Sequence, residues 1–130
     1  EAGDFSCPGS VLRALPEAHP LTVDLPASLA VFCAGSCAWK LMSPEESKTA
    51  ARVDPAKLAV LARYAPTRLL LSGWIRNAAR IEGDAAWVRA SYGQGRVHLF
   101  GFRPQFRAWT QQSFHLLLRA LLLDGFGAGD

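Results

Sequence analysis

Hydrophobic positions divide the first part of the chain into short apolar runs that predict strands. Ser10–Leu15 is one such run, and Leu29–Leu41 is a second, with the small residues 34–36 at its centre. Small residues inside a strand indicate a bulge or close packing against another element. Leu58–Tyr64 fits a strand or a helix, whereas the consecutive apolar residues Leu69–Leu71 are typical of a strand buried on both faces.

The clearest local pattern is a β-hairpin. Ala86–Tyr92 and Arg96–Phe102 are strand-like runs on either side of Gly93-Gln94-Gly95. Two such runs separated by a short glycine-containing connection predict a hairpin. Met42–Pro55, by contrast, is polar and predicts an exposed loop.

The last element is predicted to be an amphipathic helix. Thr110 is a suitable N-cap, because its hydroxyl can accept a hydrogen bond from a free amide of the first turn. Gly125 is a typical helix stop, and residues 125–130 are predicted to form a mobile tail. The apolar positions that recur at helical spacing, and that we expect to face the core, are Phe114, Leu117, Leu118, Leu121 and Leu122.

Composition indicates one globular domain over residues 1–130. Half of the 130 residues are hydrophobic and 19% are charged, which is enough apolar surface for one core. The first residue is Glu1 and not Met, which predicts a processed form or an excised piece of a longer chain. The net charge is only +3 and the arginines form no basic run, so no nucleic-acid partner is predicted. No apolar stretch is long enough for a membrane span.

Cysteine spacing gives neither a zinc site nor a disulfide. Cys33 and Cys37 are four residues apart, and on a strand they would lie about 13 Å from each other, too far to be bridged. Both are interpreted as small core hydrophobes. With Cys7 the chain has three cysteines, so at least one thiol is free. An alternative is a residual thiol hydrolase with Cys33 or Cys37 as its nucleophile, although no base can be assigned to it.

Histidine spacing excludes the common metal motifs. None of the three histidines forms H-x-x-E, H-x-x-x-H or C-x-x-C-H, so a structural role is expected for each and no metal site is predicted. The histidines are His19, His98 and His115. The nucleophile elbow G-x-S-x-G is also absent from the sequence, and no catalytic residue is predicted.

Arginines and aromatic residues alternate between the hairpin and the helix. The residues concerned are Phe100, Phe102, Arg103, Phe106, Arg107 and Trp109. One interpretation is structural, with a strand end folded onto the helix and Arg103 or Arg107 paired to a carboxylate. The other is a docking surface or an anion site, since arginine stacks on aromatic faces. The candidate docking residues are Phe102, Arg103, Phe106 and Arg107.

These same residues carry a resemblance to a known family. Residues 93–110, GQGRVHLFGFRPQFRAWT, and the leucine-rich helix after them resemble the class I glutamine-amidotransferase-like domain at the C-terminus of bacterial zinc carboxypeptidases of the carboxypeptidase A superfamily. Residues 7–13 with His19-Pro20, and residues 70–75, are similar to other parts of that domain. The resemblance implies an α/β, flavodoxin-like sheet, of which this chain holds the later part, with a C-terminal hairpin and helix.

The resemblance also implies that amidotransferase chemistry is lost. Active members of that class end their last strand in Phe-His-Pro-Glu, whose His and Glu belong to a Cys-His-Glu triad. The similar positions here are Phe102, Arg103, Pro104 and Gln105. Arginine stays protonated and cannot act as a general base, and glutamine has no carboxylate with which to orient a histidine.

The expected function is therefore that of a non-catalytic accessory domain of a secreted zinc carboxypeptidase-type hydrolase. Zinc, an extracytoplasmic location and an upstream peptidase domain as partner are implied by the resemblance, and no cofactor is expected in this chain itself. An alternative is a stand-alone module that binds a small anion or docks a protein through Arg103. A homodimer formed through an exposed sheet edge is a further possible assembly.

Overall fold

The computed structural model describes residues 5–35, 38–41 and 57–124. Within these residues the chain forms six strands and one α-helix. The strands are β1 (Ser10–Pro16), β2 (Leu29–Cys33), β3 (Leu58–Tyr64), β4 (Leu70–Ser72), β5 (Ala85–Tyr92) and β6 (Gly95–Phe100), and the helix is α1 (Gln111–Arg119). Short 3-10 turns lie at Pro20–Thr22 and Ala78–Arg80, and a π-helical turn, Ala120–Asp124, continues α1.

The strands form one curled sheet in the order β2-β1-β3-β5-β6, and β4 pairs with β1 beside β3. Every pairing among the described strands is antiparallel. The predicted α/β class is thus confirmed as a mixed fold, an antiparallel half-barrel with a C-terminal helix. The flavodoxin-like arrangement is not confirmed, because that fold needs parallel strands joined by helical crossovers.

The predicted hairpin is confirmed. β5 and β6 pair from Trp87 with Phe100 to Tyr92 with Gly95, which leaves a loop of two residues. Gly93 has φ +58, and Gln94 is not in the positive-φ region, the pattern of a type II′ turn. The second strand ends at Phe100 and not at Phe102, because the chain turns at Gly101 towards β2.

The C-terminal helix is confirmed, but its predicted buried face is wrong. Leu118, Leu121 and Leu122 are about half exposed, and the buried positions are Leu116 and its neighbours Ser113 and Ala120. Tertiary contacts set this orientation: α1 packs against β2, and the carboxylate that ends the π-helical turn contacts β5 and β6. The helix therefore packs on the sheet through β2, and the Asp124 carboxylate at its C-terminal end holds it on β5 and β6.

Thr110 does occupy the N-cap position, but its hydroxyl makes a different bond from the one expected. It lies 2.8 Å from the hydroxyl of Ser113 and makes no cap bond to a backbone amide. The Ser113 hydroxyl in turn reaches the carbonyls of Pro104 and Thr110, at 2.8 and 2.6 Å. This buried hydroxyl pair ties the start of α1 to the loop that precedes it.

Two strand predictions need correction. Leu29–Leu41 is not one strand: β2 ends at Cys33, and Gly35 turns the chain with φ +58. Trp39 then makes one bridge, to Ala85. The run at Leu69–Leu71 is not buried on both faces either, because only Leu69 is buried, and the rest of that run lies on the exposed β4. The predicted loop at 42–55 lies outside the described residues, as do Cys37 and the tail from Gly125.

The core lies between the concave face of the sheet and α1. Its largest fully buried side chains include Leu12, Leu29, Leu61, Tyr64, Trp87 and Leu116. The Tyr64 hydroxyl donates to the carbonyl of Gly101 at 2.6 Å, so this buried phenol keeps a partner. The end strands of the described sheet are β2 and β6, and dimerisation through either edge stays a prediction. None of the described helices combines the length and hydropathy needed to cross a membrane.

Candidate functional site

The loop between β6 and α1 is fixed to the end of β2 by backbone and ring contacts. The amide of Arg103 donates to the carbonyl of Phe32 at 2.9 Å. The Phe106 ring stacks on the buried Phe32 ring, with centroids 4.5 Å apart and planes 10° from parallel. Trp109 packs edge-on against both phenylalanines, at 5.1 and 5.9 Å. The loop is thus anchored by a three-ring cluster.

Two arginines share the Phe106 ring. The guanidinium carbons of Arg103 and Arg107 lie 5.7 and 5.3 Å from its centroid, within cation–π distance. Among the described residues, neither arginine pairs with a carboxylate. The structural interpretation predicted a carboxylate partner for Arg103 or Arg107, and the described residues do not support that prediction. Two positive charges are therefore held at one point of the surface.

The backbone at this point is strained. Arg107 and Ala108 have φ of +47° and +54°, in the left-handed region that costs a non-glycine residue about 1 kcal/mol or more. The neighbouring contacts hold this conformation: Phe106 stacks on Phe32, and the Trp109 amide donates to the Phe106 carbonyl at 3.1 Å. The turn places Arg107 over the same Phe106 ring as Arg103.

A surface depression of about 630 Å³ lies beside this cluster, between the loop, the Pro8-Gly9 turn and the end of β2. Trp109, at its rim, is 61% exposed, which is high for an indole. We call Arg103, Phe106, Arg107 and Trp109 the arginine–aromatic surface. It contains three of the four docking residues expected from the sequence.

Phe102, the fourth expected residue, lies elsewhere. Its side chain is buried in the core and packs edge-on against Phe100, with ring centroids 5.6 Å apart. The sequence places Trp109 among these arginines and aromatic residues but does not predict it as a docking residue. Its position in a loop between a strand end and an N-cap residue is the signal that marks it as exposed.

Sequence reasoning missed a second polar cluster, which forms around Asp124 at the end of the π-helical turn. Arg89 donates to both carboxylate oxygens, at 2.6 and 2.9 Å. His98 Nε2 lies 2.8 Å from Oδ2, and Arg96 Nε lies 3.1 Å from Oδ1. We call these four residues the Asp124 cluster. Pairing of β5 with β6 places Arg89 opposite His98, and only tertiary packing brings Asp124 to them, so no local spacing predicts the cluster.

Hydrogen bonds orient the His98 ring and stabilise the charge of Asp124. The indole N–H of Trp87 donates to His98 Nδ1 at 3.2 Å, so in the neutral ring the proton is on Nε2 and is donated to Asp124. The hydrogen bond from Arg89, followed by that from His98, lowers the pKa of the Asp124 carboxyl, while burial opposes the shift. Asp124 is thus a permanent anion at neutral pH.

The other histidines have no catalytic surroundings in the described part of the chain. His19 caps the 3-10 turn at Pro20–Thr22: its Nδ1 accepts from the amide of Leu21 at 3.1 Å. Burial, followed by the charge of Arg89, lowers the pKa of His19 and keeps the ring neutral. His115 is exposed on α1. Across residues 5–35, 38–41 and 57–124, no group of three or more His, Cys, Asp or Glu side chains could hold a metal ion.

The described cysteines are core residues. Cys33 is almost fully buried, and the thiol of Cys7 lies 3.5 Å from the carbonyl oxygen of Cys33. Cys7 is a free thiol. A buried thiol is a poor nucleophile, because the thiolate is disfavoured away from water. Neither cysteine is therefore supported as a catalytic residue.

Comparison with models of protein families, with curated proteins and with solved structures finds no match to this chain. Function is therefore argued from the geometry of the two clusters. The arginine–aromatic surface is open, cationic and partly apolar, which is the chemistry of a binding surface. The Asp124 cluster is mostly buried and holds the helix on the sheet.

Proposed function

We propose that this chain is a non-catalytic docking domain and that the arginine–aromatic surface is its contact with a partner protein. One observation carries the proposal: Arg103 and Arg107 both lie over Phe106 with no carboxylate partner among the described residues, beside an exposed Trp109. Arginine and tryptophan are the residues that most often dominate binding energy at protein interfaces.

The chemistry of this surface specifies its partner. Two adjacent guanidinium groups favour a segment with one or two carboxylates, because an arginine fork binds a carboxylate through two parallel hydrogen bonds. The depression next to them, with Pro8, Phe32 and Trp109 in its walls, accepts an apolar side chain. An acidic segment with an apolar anchor is therefore the proposed occupant.

The partner that we propose is the upstream peptidase domain of a secreted zinc carboxypeptidase-type hydrolase, as the resemblance in residues 93–110 implies. The degenerate triad agrees with a docking role, because Arg103 stands at the position of the catalytic histidine and stacks on Phe106. The implied flavodoxin-like sheet has no support in the antiparallel strand pairs. The proposal therefore rests on the surface and on the resemblance in sequence.

Calorimetric titration of the chain with the separately produced upstream domain tests the proposal. We expect the Arg103→Ala, Arg107→Ala double variant to bind at least about tenfold more weakly, because each lost charge-assisted bond contributes about 1.5 kcal/mol or more. Both side chains are exposed, so the variant should keep its thermal stability.

Arg76→Ala is the matched control, because Arg76 also lies over an exposed ring, that of Trp74 at 5.4 Å, outside the depression. Equal weakening by this control, or unchanged binding by the double variant, would contradict docking at the arginine–aromatic surface. A reading frame that encodes no H-x-x-E zinc motif upstream would contradict the proposed partner.

The same two arginines, which pair with no carboxylate among the described residues, support a second candidate, a module that binds a small anion at Arg103. A depression of about 630 Å³ is large enough for a small molecule. Titration with citrate in the absence of any protein partner separates the two candidates: saturable binding that Arg103→Ala removes favours the small anion. A docking surface should bind citrate only weakly, because it lacks the enclosed contacts that a small ligand needs.

A further inference from the structure

The two end strands of the described sheet differ at their outer edges. β2 is partly covered, because the Arg103 amide donates to the Phe32 carbonyl at 2.9 Å and α1 packs against this strand. β6 lies at the opposite end, and among the described strands it pairs only with β5. β6 is therefore the open edge of the described sheet.

The alternation of hydrogen bonds shows which backbone groups of β6 face outward. The Gly101 amide donates to the Ala86 carbonyl at 2.8 Å, so these two residues form a hydrogen-bonded pair. Bonded and non-bonded pairs alternate along an antiparallel ladder. The amides and carbonyls of Arg96, His98 and Phe100 therefore point away from β5. Within the part of the chain that the structure describes, no backbone group of another element bonds to them.

β6 lacks the residues and the bulge that usually protect an open edge. Its sequence, GRVHLF, contains neither proline nor lysine. Its pairing with β5 keeps a continuous register from Trp87 with Phe100 to Tyr92 with Gly95. Natural edge strands commonly carry lysine, proline or a bulge, because an unprotected row of amides and carbonyls pairs with other chains. This edge is therefore suited to pairing with another strand.

Apolar side chains lie beside the edge on both faces of the sheet. On the face away from the helix, Val97 is 43% exposed, and Leu99 follows two residues later on the same face. On the helix side, Leu121 is 56% exposed and lines, together with Phe100, a concave surface between the end of the helix and β6. The edge thus offers both backbone hydrogen bonds and apolar surface.

We propose that a second copy of this chain pairs with β6, antiparallel and about a two-fold axis at His98, so that the two sheets join into one. In this register the outward amides and carbonyls find partners in the copy: His98 opposes the copy's His98, and Arg96 opposes the copy's Phe100. Val97 opposes the copy's Leu99, which makes an apolar pair. The proposal goes beyond the docking role and uses none of its residues.

Charge and strand length select this register. An axis at Arg96 places two guanidinium groups opposite each other, and like charges directly opposite destabilise a strand pair. An axis nearer Phe100 leaves the Arg96 backbone unpaired, because β6 ends at Phe100. With the axis at His98, the two copies of Arg96 lie four strand positions apart, about 14 Å along the strands. The edge is therefore complementary to a second copy of itself.

Sedimentation velocity of the 130-residue chain over the micromolar range tests the proposal. We expect the mass to rise with concentration from that of one chain to that of two. Amide hydrogen exchange measured by NMR tests the register on the unaltered protein. The Arg96 and His98 amides should exchange at least about tenfold more slowly in the dimer, whereas the Val97 amide, which already faces β5, should change less. A chain that stays monomeric, or a dimer in which the Arg96 and His98 amides keep their monomer rates, would overturn the proposal.

Val97→Lys and Val97→Glu test the contact at a position that is exposed in the single chain. Each variant alone should form the dimer at least about tenfold more weakly, because two like charges then lie diagonally across the two-fold axis, about 7–8 Å apart. An equimolar mixture of the two should restore the dimer, because the charges are then opposite. Leu71→Lys is the matched control, since Leu71 is 46% exposed on β4, and it should dimerise like the wild type. An undiminished Val97→Lys dimer, a mixture that stays monomeric, or an equal loss in Leu71→Lys would overturn the proposal.

Discussion

Asp124 accepts two hydrogen bonds from the guanidinium fork of Arg89, from Nε at 2.6 Å and from Nη2 at 2.9 Å. The two residues are 35 positions apart, so the pair closes the end of the helix onto β5. Their side chains are only 18% and 9% exposed, which shields the interaction from water. This polar pair and the apolar contact between α1 and the core both hold the helix on the sheet.

Asp124→Asn should destabilise the domain strongly. The substitution leaves the charges of Arg89 and Arg96 without their carboxylate in a mostly buried place, which costs roughly 3 kcal/mol in the free energy of unfolding. Urea unfolding followed by circular dichroism measures this cost. Glu17→Gln is the control, because the Glu17–Arg63 pair is exposed and its loss should cost less than about 1 kcal/mol. Equal losses of unfolding free energy for Asp124→Asn and Glu17→Gln would contradict the stabilising role of the buried Asp124 carboxylate.

The contribution of Asp124 should disappear in acid. Its carboxyl has a pKa below the usual 3.8, because Arg89 and His98 donate to the charged form. A group with a lowered folded-state pKa stabilises the protein above its unfolded-state pKa, and this stabilisation is lost as the pH falls through the folded-state value. The stability difference between wild type and Asp124→Asn should therefore be constant from neutral pH to about 4 and should narrow below that. A difference that stays constant to pH 2 would contradict the assignment.

Leu116 should contribute far more to the free energy of unfolding than the nearby Leu118. Leu116 is fully buried beneath the helix, and Leu116→Ala should lower the free energy of unfolding by about 3 kcal/mol. Leu118 is 48% exposed, and Leu118→Ala should cost less than about 1 kcal/mol. Chemical denaturation of the two variants measures both values. A larger loss of unfolding free energy for Leu118→Ala than for Leu116→Ala would support the apolar helix face predicted from the sequence.

Gly73 should not tolerate a side chain. It has φ +95, and a Cβ atom there would lie 2.6 Å from the Ser10 hydroxyl and 2.9 Å from the Ser10 backbone. That hydroxyl bonds to both the amide and the carbonyl of Trp74, so it cannot move aside without breaking them. Gly73→Ala should cost at least about 2 kcal/mol by thermal or urea unfolding.

Gly83→Ala is the control for Gly73→Ala. Gly83 also has positive φ, +78, but open space surrounds its Cβ position, so only backbone strain of about 1 kcal/mol is expected. Equal destabilisation of the two variants would show that the clash with Ser10 is absent.

The sequence predicted the hairpin and the helix because local residues specify them. Gly93 supplies the positive φ that the two-residue turn needs, and Thr110 and the leucines mark the start and the body of α1. Leu58–Tyr64, ambiguous in the sequence, is a strand because it pairs with β1 and β5. Such pairing depends on tertiary contacts, which the spacing of apolar residues does not reveal.

The helix face and the Asp124 cluster could not be predicted for the same reason. The helix carries leucines on most of its surface, so no stripe identifies its buried side, and Ser113 and Ala120 take core positions that apolar spacing does not assign. Arg103 and Arg107, by contrast, could be predicted, because both lie in one short loop with Phe106. Phe102 was misplaced because the strand ends two residues earlier than its apolar run.

NMR of the tryptophan indole groups, which reports where a partner contacts the chain, tests the docking role most directly. The chain has four tryptophans, and each indole N–H gives one signal in a nitrogen–proton NMR correlation spectrum. On addition of the proposed upstream peptidase domain, the Trp109 signal should shift or broaden, while that of Trp74, which is exposed outside the arginine–aromatic surface, should stay in place. A spectrum in which Trp109 is unmoved, or in which Trp74 responds instead, would contradict docking at Arg103, Phe106 and Arg107.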